Sequence, residues 1–193
     1  MSKTKDAVVQ AAIRIFSNNG YSCATMEDIA NDASVAKGTI YYYFKSKEEI
    51  FNYIISEGMN AIKDRVQEEV KNQTSPLNKL KKIYDIQLNF INEHKDFIKV
   101  VMSQMWGNEL RQMEIRLIIQ KYISDIEVYV CEAMEAGQIE KCDTALLAYT
   151  VFGTLCSASI YEVLHEEKEG VKEQVQKLIN YSFYRNGIFF ANE

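Results

Sequence analysis

Three adjacent tyrosines and the lysines around them, between residues 37 and 47, are the side chains best suited to chemistry with a partner. Successive residues of a helix point about 100° apart, so Tyr41, Tyr42 and Tyr43 do not share one buried face. Ile40 and Phe44, four apart, already supply an inward stripe, and at least one or two phenols must therefore project outward. With Lys37, Thr39, Lys45 and Lys47 beside them, these phenols suit contact with phosphate groups.

Other chemistries find little support. His94 and His165 have no companion His, Cys or carboxylate at metal-ligand spacing, so no metal is expected. No Ser/His/Asp order, glycine-rich phosphate loop or GxSxG turn points to an enzyme, and no cofactor is expected. Cys23, Cys131, Cys142 and Cys156 lie far apart without CxxC pairs, and no apolar export segment precedes them, which predicts reduced thiols and a cytoplasmic location.

The elements that must position these groups are helical. A chain of 193 residues with 47% hydrophobic and 25% charged positions, one proline and few alternating runs predicts an all-α protein of about nine helices. Val9, Ala12, Ile13 and Phe16 predict a first helix over about 3–19, stopped by Gly20 in a left-handed conformation. Thr25, with Asp28 three residues on, caps a second helix, and Ser34-Val35 turns into a third that begins near Ala36 and ends by Phe44. Ser46 with Glu49 forms a capping box for a long fourth helix carrying Ile55, Met59, Ile62, Val66 and Val70. Ser75-Pro76 opens a fifth, which carries Leu80, Ile83, Tyr84, Leu88 and Ile91. Shorter and longer helices follow over 96–106 and 109–136, the latter closed by Gly137. Asp143 caps an uncharged eighth helix, and Val171, Val175, Leu178 and Ile179 mark a ninth over about 171–186.

The net charge of -5 hides an asymmetry. Residues 1–47 hold six basic and four acidic side chains, a balance of +2, and the remainder holds 16 and 23, a balance of -7. Attraction to nucleic acid must come from a local amino-terminal face, which predicts site-specific binding with a measurable salt slope. The uncharged run between Asp143 and Glu162 sits near the lower length limit for a membrane span of about 17 residues, but its Thr, Ser and Gly content favours a buried interface helix.

The order of a first helix, TMEDIANDA, SVAKGTIYYYF and KSKEEIF resembles the amino-terminal domain of TetR-type transcriptional regulators. The resemblance implies a helix-turn-helix DNA-binding domain over 1–46 and a ligand-binding and dimerisation domain over 47–193. It implies that the third helix enters the major groove, with Lys37, Gly38, Thr39, Tyr41, Tyr42 and Tyr43 at the matching contact positions. Gly38 permits close approach, Lys37 reaches a guanine edge or a phosphate, and Thr39 donates a hydrogen bond. Thr25 and Lys47, at the starts of the second and fourth helices, match backbone clamps aided by the helix dipole. The chain departs from the family at two places: Ser34 stands where glycine is common, and Ala36 where a capping serine is common, so either Ser34 caps the third helix or that helix starts less firmly.

A stripe of adaptable and aromatic side chains, Phe97, Met102, Met105, Trp106 and Met113, continues through Tyr122 and Tyr129. Such a stripe is more often plain core than the lining of an apolar cavity, and its residue types suit either. Tyr84 and Phe152 extend the candidate lining; Arg116, Arg111, Lys99 and His94 are the candidate partners of an anionic head group, with surface solvation the more common fate of each; and the resemblance favours a cavity for a small-molecule effector. The stretch ELRQMEIR (109–116) resembles the branch of the family that senses fatty acyl-CoA and controls lipid metabolism; regulation of multidrug efflux is the rival reading. Gly153, Ser157, Ala158 and Ser159 among large apolar residues, with the family's four-helix arrangement, predict a homodimer on a near-palindromic DNA operator. A ligand-responsive repressor, with the fourth helix as lever between effector and DNA, is the resulting expectation. A helical protein-binding module and a lipid-acting enzyme are the readings from other classes.

Overall fold

Apolar residues three and four apart build the first helix, α1 (Lys3–Cys23), which buries Val8, Val9, Ala12 and Phe16. The computed structural model describes residues 2–164 and Lys177. Among the described residues there are eight α-helices and no strand, and the helix expected over 171–186 lies outside them. The stop expected at Gly20 takes the form of a kink. Its φ of 75° breaks the helical path, and one more turn carries the chain to Cys23 before the Ala24 N–H reaches the Gly20 carbonyl at 3.3 Å.

Helix α2 (Met26–Asp32) begins with a complete capping box. The Thr25 hydroxyl oxygen accepts from the Asp28 N–H at 3.1 Å, and the Asp28 carboxylate accepts from the Thr25 N–H at 3.0 Å. Helix α3 (Lys37–Tyr43) has no such start: Ala36 occupies the cap position without a side-chain bond. Ser34, at φ 55°, takes the left-handed conformation that the turn requires and that glycine adopts most readily. Of the two alternatives raised by the sequence, the weakly started helix is the one present.

Helix α4 (Lys47–Val70) is capped by Ser46, whose hydroxyl accepts from the Glu49 N–H at 3.1 Å, but the Glu49 carboxylate reaches Lys45 N–H instead of Ser46 N–H, so the box closes one residue early. Of its expected stripe, Ile55, Ile62, Val66 and Val70 are buried and Met59 is half-buried, while Ile54 joins the buried face. Gly58, in mid-helix, lies against the Phe97 ring: a Cβ there would come within 2.3 Å of it. Phe97 is thereby packing material at 6% exposure.

Helix α5 (Pro76–Glu93) starts on a proline as expected, yet Ser75 does not cap it. The cap comes from Gln138, whose side-chain oxygen accepts from Ser75 Oγ at 3.1 Å and from the Leu77 N–H at 2.9 Å. Helix α6 (Lys95–Ser103) and helix α7 (Leu110–Glu135) follow. Gly137, at φ 68°, ends α7 with the Gln138 N–H bonded to the Ala133 carbonyl and the Gly137 N–H to that of Met134, the two-bond glycine stop. Asp143 caps helix α8 (Thr144–Leu164) through the Leu146 N–H at 2.9 Å.

The chain forms two compact units. The first is Met1–Ala61 with Asp96–Ile115, and the second is Ile62–Lys95 with Arg116–Glu193. The first unit thus reaches past the helix-turn-helix segment expected to end at residue 46: it takes in the first part of α4, most of α6 and the first turn of α7. Inside it, Phe16, Tyr21 and Phe51 meet ring to ring at 5.0–5.9 Å, and the Arg111 guanidinium lies 3.8 Å above the Tyr21 ring.

Candidate nucleic-acid interface and effector pocket

The tyrosine triplet divides as helix geometry demands. Ile40 and Phe44 are buried, Tyr41 is 47% exposed and Tyr42 is 82% exposed. Tyr43 is half-buried; its hydroxyl is 3.1 Å from the Ser2 hydroxyl and its ring stands edge-on to Tyr42 at 5.0 Å. Two phenols therefore face solvent, and the third ties the start of the chain to α3.

Gly38 has no internal reason to be glycine. Its backbone is helical and a Cβ built there meets nothing within 4 Å, although glycine in a helix costs about 1 kcal/mol relative to alanine. The open side of Gly38 is the side on which another molecule can approach the backbone. Lys37, the first residue of α3, pairs with Glu27 at 3.3 Å, with both side chains more than 60% exposed. Such a pair is worth at most about 1 kcal/mol and is readily exchanged for a phosphate. Thr39 is half-buried.

Two expected clamp residues are already engaged by the fold. The Thr25 hydroxyl donates to Asp28 at 2.6 Å and accepts from its N–H. Lys47 donates to the carbonyls of Tyr21, Ser22 and Ala24 at 2.7, 3.2 and 2.8 Å and lies 4.5 Å from the Tyr21 ring. It closes the carboxyl end of α1. A phosphate would reach it only at the expense of those bonds.

Arg111 is also engaged. It donates twice to the Gln104 side-chain oxygen at 3.2 and 3.0 Å, pairs with Glu109 at 2.7 Å and covers Tyr21, with 11% of its side chain exposed. Burial raises the Tyr21 phenol above its ordinary range, against the opposing effect of the nearby guanidinium. These are joints within the first unit.

The candidate effector residues separate between the two units. Phe97, Met102, Met105, Trp106 and Met113 belong to the first, and Trp106 and Met113 are 81% and 50% exposed. Tyr84, Arg116, Tyr122, Tyr129 and Phe152 belong to the second. There, a pocket of about 210 Å³ opens between α4, α5 and α7. Lys63, Val66 and Gln67 of α4 and Ile83 of α5 form one side. From α7 come Tyr122, Asp125, Ile126, Val128 and Tyr129. Tyr122 and Tyr129 are thus the expected residues that line it; Tyr84, buried, and Phe152, half-buried, do not.

A Lys63–Asp125 ion pair at 3.0 Å, about 40–45% exposed, marks the open edge of this pocket. Behind its wall, Gln87 is 2% exposed and donates through Nε2 to the Tyr122 hydroxyl at 2.5 Å. Burial pushes the Tyr122 phenol far above its ordinary range, so it remains a neutral hydroxyl. Gln87 is absent from the sequence-based set, yet its signal was there: it sits four residues from both Ile83 and Ile91, a polar residue on the buried face of α5.

Along α8, Leu147, Ala148, Val151 and Ala158 are buried. The opposite face exposes Leu146 (66%), Tyr149 and Ile160, with Gly153 and Ser157 also exposed between them. Large and small residues at this spacing make an apolar strip suited to close helix contact. No helix among the described residues is long and apolar enough to cross a membrane, and no cluster of potential metal ligands occurs among them.

The family profile "Bacterial regulatory proteins, tetR family" matches residues 8–54, and "YsiA-like protein, C-terminal region" matches residues 55–182. A solved structure from Clostridium perfringens, provisionally named a fatty acid metabolism regulator, is 41% identical, with a TM-score of 0.83 over 91% of this chain and 95% of that one. The fatty acid metabolism regulator protein of Bacillus subtilis (strain 168) is 29% identical over 83% of this chain and 84% of its own length. The structure of the Bacillus subtilis transcriptional regulator FadR in complex with stearoyl-CoA shares the fold, with a TM-score of 0.80 at 23% identity over 92% of this chain and 96% of that one.

Proposed function

Since the chain belongs to the TetR family of bacterial transcriptional regulators, a non-enzymatic, ligand-responsive, DNA-binding class, we propose that it is a homodimeric repressor released from its operator by an amphipathic acyl compound. The observation that carries the DNA reading is the exposed face of α3. Tyr41 and Tyr42 project into solvent beside Gly38, whose open backbone has no use within the fold. Phenol hydroxyls donate to phosphates, their rings lie on thymine methyls, and the bare backbone at Gly38 lets the start of the helix sit deep in the groove. Lys37 exchanges Glu27 for a guanine edge or a phosphate. Tyr43, Thr39, Thr25 and Lys47 support this face mainly by holding its parts in place.

The exposed strip of α8 supports association of two copies through a symmetric interface, with half-sites one turn of duplex apart or somewhat more, roughly 34 Å. The acyl effector is supported by two relatives named for fatty acid metabolism, by the bound stearoyl-CoA of one fold neighbour, and by the apolar pocket with an ion pair at its edge. To lower DNA affinity 100-fold, the effector must prefer the non-binding conformation by about 2.7 kcal/mol. Helix α4 belongs to both units and is the natural lever.

Mobility shift and footprinting on DNA upstream of the protein's own gene test this reading. Protection of a near-palindrome, its loss with Tyr42→Ala, and its release by acyl-CoA but not by cationic drugs are the expected results. Release by cationic drugs alone would make the protein a regulator of efflux. No protection at low salt by a folded dimer would overturn the assignment of α3.

A further inference from the structure

We infer that the pocket of the second unit reads a hydroxyl group carried on the effector's chain, through the buried pair Gln87 and Tyr122. The inference rests on the acyl-effector reading given above. Ile83 lines the pocket and Gln87 follows it by four residues, on the same face of α5 one turn along. Tyr122 lines the pocket from α7, with Asp125, Ile126 and Tyr129 following it on one helical face. The exposed Lys63–Asp125 pair marks the open edge, Tyr122 lines the wall, and Gln87 lies buried directly behind it, bonded to the Tyr122 hydroxyl.

The hydrogen bonding of this spot is incomplete in a specific way. Gln87 Nε2 donates to the Tyr122 hydroxyl, and Gln87 Oε1, fully buried, has no partner among the described residues. Having accepted from Gln87, the Tyr122 hydroxyl still has its own proton to give. The Gln87 Oε1 acceptor and the Tyr122 O–H donor are thus left over side by side, with the second N–H of the Gln87 amide as a further donor. Turning the amide over lets its oxygen accept from Tyr122 and leaves the phenol oxygen as acceptor and the amide N–H groups as donors. A hydroxyl group is the smallest ligand function that both donates and accepts, and it completes the pair. A methylene leaves both groups desolvated without partners. A carbonyl satisfies only the donor.

Size narrows the class further. A dry cavity of about 150 Å³ accommodates a benzene ring, so about 210 Å³ suits a chain of roughly eight carbons. The inferred ligand class is therefore acyl compounds hydroxylated within the enclosed segment, of which eight-carbon chains are the shortest to fill it, and the hydroxyl distinguishes the effector from the saturated chain.

The test compares octanoyl-CoA with 2-, 3- and ω-hydroxyoctanoyl-CoA, and the corresponding free acids, on the purified full-length protein. Calorimetry measures binding and mobility shift measures release of the operator. The expected result is that at least one positional isomer binds about tenfold or more tightly than the saturated compound, and that Gln87→Leu and Tyr122→Phe each erase this difference while retaining affinity for the saturated compound. Both replacements are close in volume, and two independent variants guard against a folding defect in either. Equal binding of saturated and hydroxylated compounds, or a preference that persists in both variants, overturns the inference while leaving the acyl-effector reading intact. Failure of every thioester and acid to bind overturns both, and hydroxyl-dependent binding without operator release leaves the recognition standing and removes the effector role.

Discussion

The exposed face of α3 in the first unit and the pocket wall of the second treat polar groups in opposite ways. On α3, Tyr41, Tyr42 and Lys37 keep their polar ends in water, and the one ion pair of Lys37 is exposed and easily exchanged. At the pocket wall, Tyr122 and, behind it, Gln87 are withdrawn from water and committed to each other with capacity to spare. A surface that must bind a long, highly charged partner gains from many weak, replaceable contacts. A cavity that must choose among similar small molecules gains from a few groups that are costly to leave unsatisfied.

The comparison is broken or sharpened first at Tyr42. Replacement by alanine removes an 82% exposed ring, so the melting temperature stays put while operator affinity falls by about 100-fold, counting about 1–3 kcal/mol for each of two copies. A parallel loss of stability would mean that the ring packs within the protein. Lys47→Ala should behave in the reverse manner. Losing three charge-assisted bonds at the end of α1 lowers unfolding free energy by about 1.5–3 kcal/mol in urea titration, with the salt slope of DNA binding unchanged. A slope reduced by about one would restore Lys47 as a phosphate contact.

Gly38→Ala separates the two demands at a single position. Alanine is the better helix former and meets nothing in the fold, so stability rises by up to about 1 kcal/mol while operator binding weakens. Ala36→Ser supplies the missing cap of α3 and adds about 1 kcal/mol, read as a higher melting temperature. The smallest effect belongs to Glu69. Lys82 and Arg65 hold its carboxyl below the ordinary range, so its folded pKa is depressed and its contribution is present above the unfolded carboxylate pKa and lost as pH falls through the folded one. A small gap in stability between Glu69→Gln and the parent at pH 7 should close in acid; a gap independent of pH would point to packing instead.

Local signals were readable from the chain alone. The Thr25–Asp28 box, the Gly137 stop, the Asp143 cap and the inward Ile40 and Phe44 each depend on residues within one or two turns, and each is found as expected. What the chain alone did not show is nonlocal. Ser75 looked like a cap because serine before proline usually is one, but Gln138 occupies that role from 61 residues beyond Leu77. Lys47 looked like a clamp because it begins a helix, and its engagement with three carbonyls more than 20 residues earlier leaves no mark in composition. Trp106 and Met113 fit a cavity by type and stand in solvent. The long reach of α4 into both units hid the boundary after Ala61, because helical periodicity runs through it without interruption.

The Gln138 cap also bears on the order in which the second unit assembles. The amino end of α5 cannot be closed by its own neighbours, so its final amide bond waits until the turn after α7 has returned across 61 residues of chain. Contacts of that separation form late, after the local helices, because the chain entropy of closing the loop must first be overcome. The start of α5 is then expected to lock after the rest of its own helix and to open ahead of that helix's interior in hydrogen exchange.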